Sequence, residues 1–445
     1  MAENRAQRDA TDRLRLIRPL VDFLHTEAAG GVALVIAAIV ALAWANSPWD
    51  ASYRDLWTTD LTVALGDRRL DLDLRHWIND GLMAIFFFVV GLEIKRELVD
   101  GELRDPRKAA LPACAALGGM VAPALIYAAF NVGGEGSDGW GIPMATDIAM
   151  AVGVLSLMGS RVSASLKLFL LALSIVDDIG AILVIAVFYT DEIHGDALLA
   201  TLGLLVAVAA MRRLGVRSVP AFVVVGVVLW VTLHESGIHA TLAGVVLGLM
   251  TPTQPIRRPE LVDAAKLADV SSYRAARQTA TAAREAVSVV EWLEHQLHPW
   301  TSFVVVPLFA LANAGVELSG DTVGDALSSP VAGGIVFGLV VGKVVGITGF
   351  TWLATRLRIA TLPEGSGWSG IVGVGALAGI GFTVSIFVTG LAFGGTALED
   401  QAKVAILGGS LLAAAIGSVV IVATSGRAGG AVPEAVGSVA SSPRS

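Results

Sequence analysis

The apolar residues of this 445-residue chain recur in long blocks, and that spacing narrows its fold more than any other feature. Each block runs for roughly 15–25 residues, the length a helix needs to cross a hydrocarbon core about 30 Å thick. The chain is 54% hydrophobic and only 16% charged, with a mean hydropathy of +0.70. A soluble domain carries about 25% charged residues, so a soluble fold of this length would lack polar surface. The expectation is an all-α polytopic membrane protein. Twelve spans can be drawn, at 30–46, 78–98, 109–130, 141–159, 164–189, 197–211, 218–234, 237–251, 300–315, 331–355, 371–393 and 402–424. The sixth and eighth are the shortest.

The Lys and Arg residues set the orientation. With the N-terminus cytoplasmic, five of the 31 fall outside: Arg54, Arg68, Arg69, Arg75 and Lys403. Lys343 lies within a span, and the rest fall on the cytoplasmic side. The outer connections 131–140, 190–196 and 316–330 carry acids and no Lys or Arg. This asymmetry fits the positive-inside rule, and an odd number of spans would scramble it. Both termini are therefore expected in the cytoplasm. About 30 mostly polar residues precede the first apolar block, so no cleavable signal is expected. Within residues 1–29, Leu14, Ile17, Leu20, Val21 and Leu24 recur among arginines, as in an amphipathic helix lying on the bilayer. Residues 61–74 alternate around Gly66-Asp67 and read as an outer β-hairpin whose strand edges can pair two protomers into a homodimer. Residues 252–299 form a charged cytoplasmic connection, partly helical from Ala264 to Glu294. The Gly-, Ala-, Ser- and Pro-rich tail 425–445 reads as disordered. A net charge of -8 argues against nucleic acid. The single cysteine, Cys114, permits no internal disulfide.

Two triplets of spans, 109–189 and 331–424, share a pattern and run in opposite directions. Each middle span is interrupted, the first by Gly139, Gly141 and Pro143, the second by Gly373, Gly375, Gly379 and Gly381. Matching interruptions in two inverted halves point to a transport site. Four ionisable residues lie well inside spans: Asp147, Asp177, Asp178 and Lys343. Each costs roughly 2.5–3.5 kcal/mol at a helix centre facing lipid, so the four must face one another or water. A purely structural ion-pair network accounts for one Asp–Lys pair and leaves two acids uncompensated. Asp177 and Asp178 point about 100° apart on a helix, so one can pair with Lys343 while the other faces a cavity. Thr146 and carbonyls freed beside Asp147 would add the oxygen ligands a hard cation requires.

These residues resemble those of the bacterial NhaA-type sodium/proton antiporters over about residues 20–424. The matching stretches are Ala145-Thr146-Asp147-Ile148-Ala149, Val176-Asp177-Asp178-Ile179-Gly180-Ala181, Gly342-Lys343 and Gly379-Ile380-Gly381-Phe382-Thr383. Trp77-Ile78-Asn79-Asp80, Gly91-Leu92-Glu93-Ile94-Lys95-Arg96-Glu97-Leu98, His239-Ala240-Thr241-Leu242-Ala243-Gly244, Glu294-His295 through His298-Pro299-Trp300, and Leu311-Ala312-Asn313-Ala314-Gly315 match as well. The resemblance implies two interrupted helices crossing near the midplane. It also implies Asp177 and Asp178 as the exchange site, and Asp147 and Lys343 as charges balancing the broken-helix dipoles. Sodium would be held by Asp177, Asp178 and Thr146. Glu93, Lys95, Arg96, Glu97, Glu294, His295 and His298 would line a cytoplasmic funnel that responds to pH; the plainer reading is an interfacial charge belt. His239 would add to the pH response as a histidine, yet its tight outer turn suits a structural role. Asp80 closes the outer end of its span. The connection at 252–290 is longer than in better-known members.

The expected function is an electrogenic antiporter, not an enzyme, with no bound cofactor. It would export Na+, and Li+ as well, against H+ by alternating access, with Na+ and H+ competing for the same aspartates. The alternative on this architecture is a sodium-coupled symporter. An intramembrane aspartyl protease would need a Gly-x-Gly-Asp signature that is absent, and its dyad would gain nothing from Lys343. A passive channel builds its filter by oligomeric symmetry from few spans.

Overall fold

The computed structural model describes residues 28–66, 68–190, 193–216, 218–254 and 287–428. The surface helix expected before Ala28, most of the long connection, and the tail beyond Ala428 lie outside the described residues. Helix α1 (Ala28–Ala45) leads to the short α2 (Asp50–Trp57). Strands β1 (Asp60–Leu65) and β2 (Arg68–Asp73) then pair antiparallel, with Asp60 opposite Asp73 and Leu65 opposite Arg68. Gly66 turns the hairpin at φ 63°, a conformation glycine adopts without a steric penalty.

The long helices follow: α3 (Leu74–Val99), α4 (Pro106–Asn131), then a 3₁₀ stretch Ser137–Met144 that leads into α5 (Ile148–Leu157), α6 (Ala164–Phe188) and α7 (Gly195–Arg213). After α8 (Val219–Glu235) comes α9 (Leu242–Met250). Helix α10 runs Val289–Trp300, passes through a π-helical stretch Thr301–Val305, and continues Val306–Asn313. The last elements are α11 (Gly320–Ser328), α12 (Pro330–Arg356), α13 (Trp368–Leu377), α14 (Phe382–Phe393) and α15 (Ala397–Ala428). Side-chain caps start several of them. Asp105 accepts from Arg107 N ahead of Pro106, and Ser163, Ser218 and Ser288 cap α6, α8 and α10 in the same way.

Among the described residues, eight helices are long and apolar enough to cross a membrane, or nine if the pair α13 and α14, bent by 48°, counts as one. The chain is thus a multi-pass helical membrane protein. The eighth expected span, 237–251, differs from expectation. Gly237 takes a left-handed φ of 81°, and only Leu242–Met250 is helical. This short helix lies hard against α3, since a Cβ on Gly244 would meet Ala84 O at 2.0 Å. The last helix runs past the expected boundary at residue 424, to Ala428.

The helices pack as two groups. One contains α4, the Ser137–Leu157 segment, α6 and α12 to α15; the other contains α3 and α7 to α10. In the first group α12 lies almost backbone to backbone on α4. A Cβ on Gly346 would stand 2.0 Å from Gly118 O, and one on Gly342 would stand 2.8 Å from Pro123 Cα. Glycines every fourth residue (338, 342, 346) form the stripe that permits this approach. The close packing delivers Lys343 to the middle of the group.

Candidate functional site

The chain breaks twice within the first group, and the two breaks touch. Gly139, Gly141 and Pro143 continue as 3₁₀ helix, so the non-helical residues are Ala145, Thr146 and Asp147, later than the glycines suggest. Gly373 and Gly375 stay helical, and the second break covers Ala378 to Gly381. Between the breaks, Asp147 N donates to Ile380 O at 2.7 Å and Thr146 Oγ1 donates to Ala378 O at 2.9 Å. Groups that helix hydrogen bonds abandon are thereby satisfied by the opposite break.

Asp147 caps two helices at once. Its Oδ1 accepts from Met150 N at 3.0 Å, at the start of α5. Its Oδ2 accepts from Thr383 N at 3.1 Å and from Thr383 Oγ1 at 2.6 Å, at the start of α14. A carboxylate between two helix N-termini answers the positive ends of both dipoles. Lys343 answers the opposite pole: its Nζ donates to Met144 O, the last carbonyl of the 3₁₀ stretch. It also donates to Thr146 Oγ1 at 2.9 Å and to Asp177 Oδ2 at 2.9 Å. All three ammonium donors are used in a fully buried site. Lys343 directly follows a π-helical stretch, Gly338–Gly342, a local irregularity frequent at functional sites.

Asp177 and Asp178 of α6 separate as adjacent helical residues must. Asp177 is 1% exposed, and its second oxygen, Oδ1, is buried without a partner. Asp178 is half-buried, and among the described residues it makes no hydrogen bond. It lies within electrostatic reach of Asp177, Glu93 and Asp147, all of its own sign, and of Lys343. Lys343 thus joins Thr146 and Asp177, and Asp178 is left open. The hydroxyl of Thr146 is engaged on both sides, by Ala378 and by Lys343, which differs from the free ligand expected of it. Sequence reasoning gave no role to Thr383 or to the Met144 carbonyl. The signal for Thr383 was its place just after Gly379-Ile380-Gly381, at a helix N-terminus.

The other expected residues divide. Arg96 of α3 pairs with the buried Glu294 of α10, whose Oε2 has no hydrogen-bonding partner. His298 is buried one turn along the same face, whereas His295 points outward and is exposed. Glu97 Oε1 accepts from Glu102 N at 2.7 Å; Lys95 and Glu93 are half-buried. His239 stands elsewhere, donating from Nε2 to the Tyr189 carbonyl at the end of α6. Asp80 is half-buried within electrostatic reach of His234, His76 and His239.

The family profile described as Na+/H+ antiporter 1 matches residues 21–421. A protein named Na(+)/H(+) antiporter NhaA from Rhodopirellula baltica is 49% identical over 415 residues, covering 91% of this chain and 93% of that one. Na(+)/H(+) antiporter NhaA 2 from Sorangium cellulosum is 48% identical over 416 residues, with 90% and 89% covered. The NhaA of Wolinella succinogenes is 45% identical over 434 residues, with 94% and 95% covered.

Proposed function

The chain belongs to the sodium/proton antiporter family described as Na+/H+ antiporter 1, and from that membership we propose that it exchanges Na+ for H+ across the bacterial inner membrane. The exchange is electrogenic, accepts Li+ as well as Na+, and proceeds by alternating access. The observation that carries this reading is the pairing of Asp177 with Lys343 beside an Asp178 left open. A site that releases one ion to take another needs a carboxylate whose charge is not already spent. Asp178 is that group, and Asp177 is the one whose charge Lys343 balances. Sodium takes oxygens of Asp178 and Asp177, with Thr146 joining when the break moves and frees it from Ala378. Protons take the same carboxylates when sodium leaves. Nothing in the relatives' names supports the symporter reading.

Twelve spans with both termini in the cytoplasm, and two inverted triplets whose broken helices cross near the midplane, complete the proposal. Reporter fusions at residues 135 and 320 should read as outside, and a cytoplasmic signal from either refutes this topology. The functional test is sodium-driven proton flux in sealed vesicles. Asp178→Asn keeps the shape but cannot bind and release a proton, so it abolishes exchange; Asp177→Asn does the same or alters proton coupling. Near-normal exchange by both single variants at matched expression removes the site.

A further inference from the structure

A buried hydroxyl on a helix can satisfy itself by donating to a carbonyl one turn back. Thr251 does so to Leu247 O at 2.9 Å and Thr389 to Ser385 O at 2.9 Å. Ser174 of α6 does not. It is 0% exposed, and its Oγ has no hydrogen-bonding partner. Ser174 precedes Asp177 by three residues and Asp178 by four, so it sits one turn along the helix, on the side that both carboxylates share. Asp177 Oδ1 is the other orphan on this face. Two unpaired oxygens thus lie one turn apart, next to the open carboxylate of Asp178. Ser156, Thr348 and Thr351 also have hydroxyls without partners. However, α12, which carries the two threonines, has no acidic residue, and Ser156 lies on the face of α5 opposite Asp147.

Oxygens without donors are what a dehydrated alkali cation needs, because each replaces a water of its hydration shell. A carboxylate oxygen and a hydroxyl supply such ligands; the hydroxyl can turn its proton away and present a lone pair. We propose that Ser174 is a further ligand of the transported cation, closing the site from one turn along α6 together with Asp178 and Oδ1 of Asp177. This deepens the exchange-site reading and rests on it.

The test uses the full chain reconstituted in proteoliposomes, with initial rates over a sodium series at fixed alkaline pH on both faces. In Ser174→Ala the apparent KM for sodium rises roughly three- to tenfold, the scale of one lost oxygen contact, while the maximal rate is retained. Thermal unfolding in detergent is read alongside: the variant keeps the sodium-free Tm of the parent and needs more sodium for the same upward shift. An unchanged KM, or an unchanged sodium midpoint for that shift, overturns the proposal. So does a joint fall of rate and sodium-free Tm, which marks a packing role. Asp178→Asn is measured beside it. If that variant is inactive while Ser174→Ala behaves like the parent, only the Ser174 assignment fails. If Asp178→Asn exchanges normally, the aspartate site fails and the Ser174 assignment falls with it.

Discussion

Lys343 spends its ammonium on one carboxylate, one hydroxyl and one carbonyl, and each loses its donor if the lysine goes. Removing one partner of a buried pair costs about 3–5 kcal/mol, because the charge left behind is uncompensated. A buried carboxyl escapes that cost when it holds a proton. Lys343→Met should therefore lower Tm more in alkaline than in acidic buffer, and adding Asp177→Asn should recover part of the alkaline loss. Calorimetry of the detergent-solubilised single and double variants checks this; a loss independent of pH would mean that the pair contributes packing and not charge. Asp147 is bound differently, as an acceptor at two helix N-termini. Asp147→Ala removes both caps, each typically worth about 1 kcal/mol.

The stripe of glycines on α12 and the hairpin each carry one expectation at the scale of elements. Gly346 faces the backbone of Gly118, so no rotamer change makes room for a side chain. Gly346→Val should cost about 1–3 kcal/mol, the usual range for overpacking. It should also impair exchange by pushing α12, and Lys343 with it, away from α4. Comparing Tm and flux with those of Gly349→Val, where a Cβ meets nothing within 4 Å, controls for the change of residue type. The hairpin leaves Leu61 and Val63 about half exposed, on strands with unpaired edges. If it joins two protomers, deleting Thr62–Asp73 shifts the solubilised protein toward monomer while some transport survives. An unchanged mass by light scattering rejects the hairpin as the contact.

Two helix groups meeting along α3 and α6 put Glu93 within electrostatic reach of Asp178, which connects the Arg96–Glu294 neighbourhood to the proposed exchange site. Two accounts of pH control follow for the whole molecule. If protons simply compete with sodium for the aspartates, apparent sodium affinity weakens as pH falls, while the maximal rate at saturating sodium changes little. If Glu93, Lys95, Arg96, Glu97, Glu294, His295 and His298 form a separate sensor, the maximal rate collapses in acid even at saturating sodium. Neutralising those residues would then restore it. Competition is the expected outcome, and sodium series at several pH values, equal on both faces, decide. Within the sensor account His298 and Glu294 are the members to change first, because both are buried while His295 is exposed.

The class of protein and the four central charges were legible in the sequence because their causes are local to it. A hydrophobic block of sufficient length, and the cost of a charge placed inside one, need no knowledge of what packs beside them. The same holds for the 100° between Asp177 and Asp178, which a single helix dictates. The alternation around Gly66 predicts a hairpin for the same reason, and β1 and β2 pair there. What remained was decided by contacts between distant segments. Only the approach of α12 to α4 selects Asp177 over Asp178 as the partner of Lys343. Only the meeting of the two breaks occupies the Thr146 hydroxyl and sets Thr383 against Asp147. The first break falls later than Gly139 and Gly141 suggest, at Thr146 and Asp147, which bond to the opposite break; the second falls at Gly379 and Gly381, while Gly373 and Gly375 stay helical. The eighth apolar block reads as a span, yet its first residues turn and the rest seats tightly on α3, a packing choice no hydropathy window contains. The free hydroxyl of Ser174 belongs with these, since a serine beside two aspartates looks the same in sequence whether or not its proton has found a carbonyl.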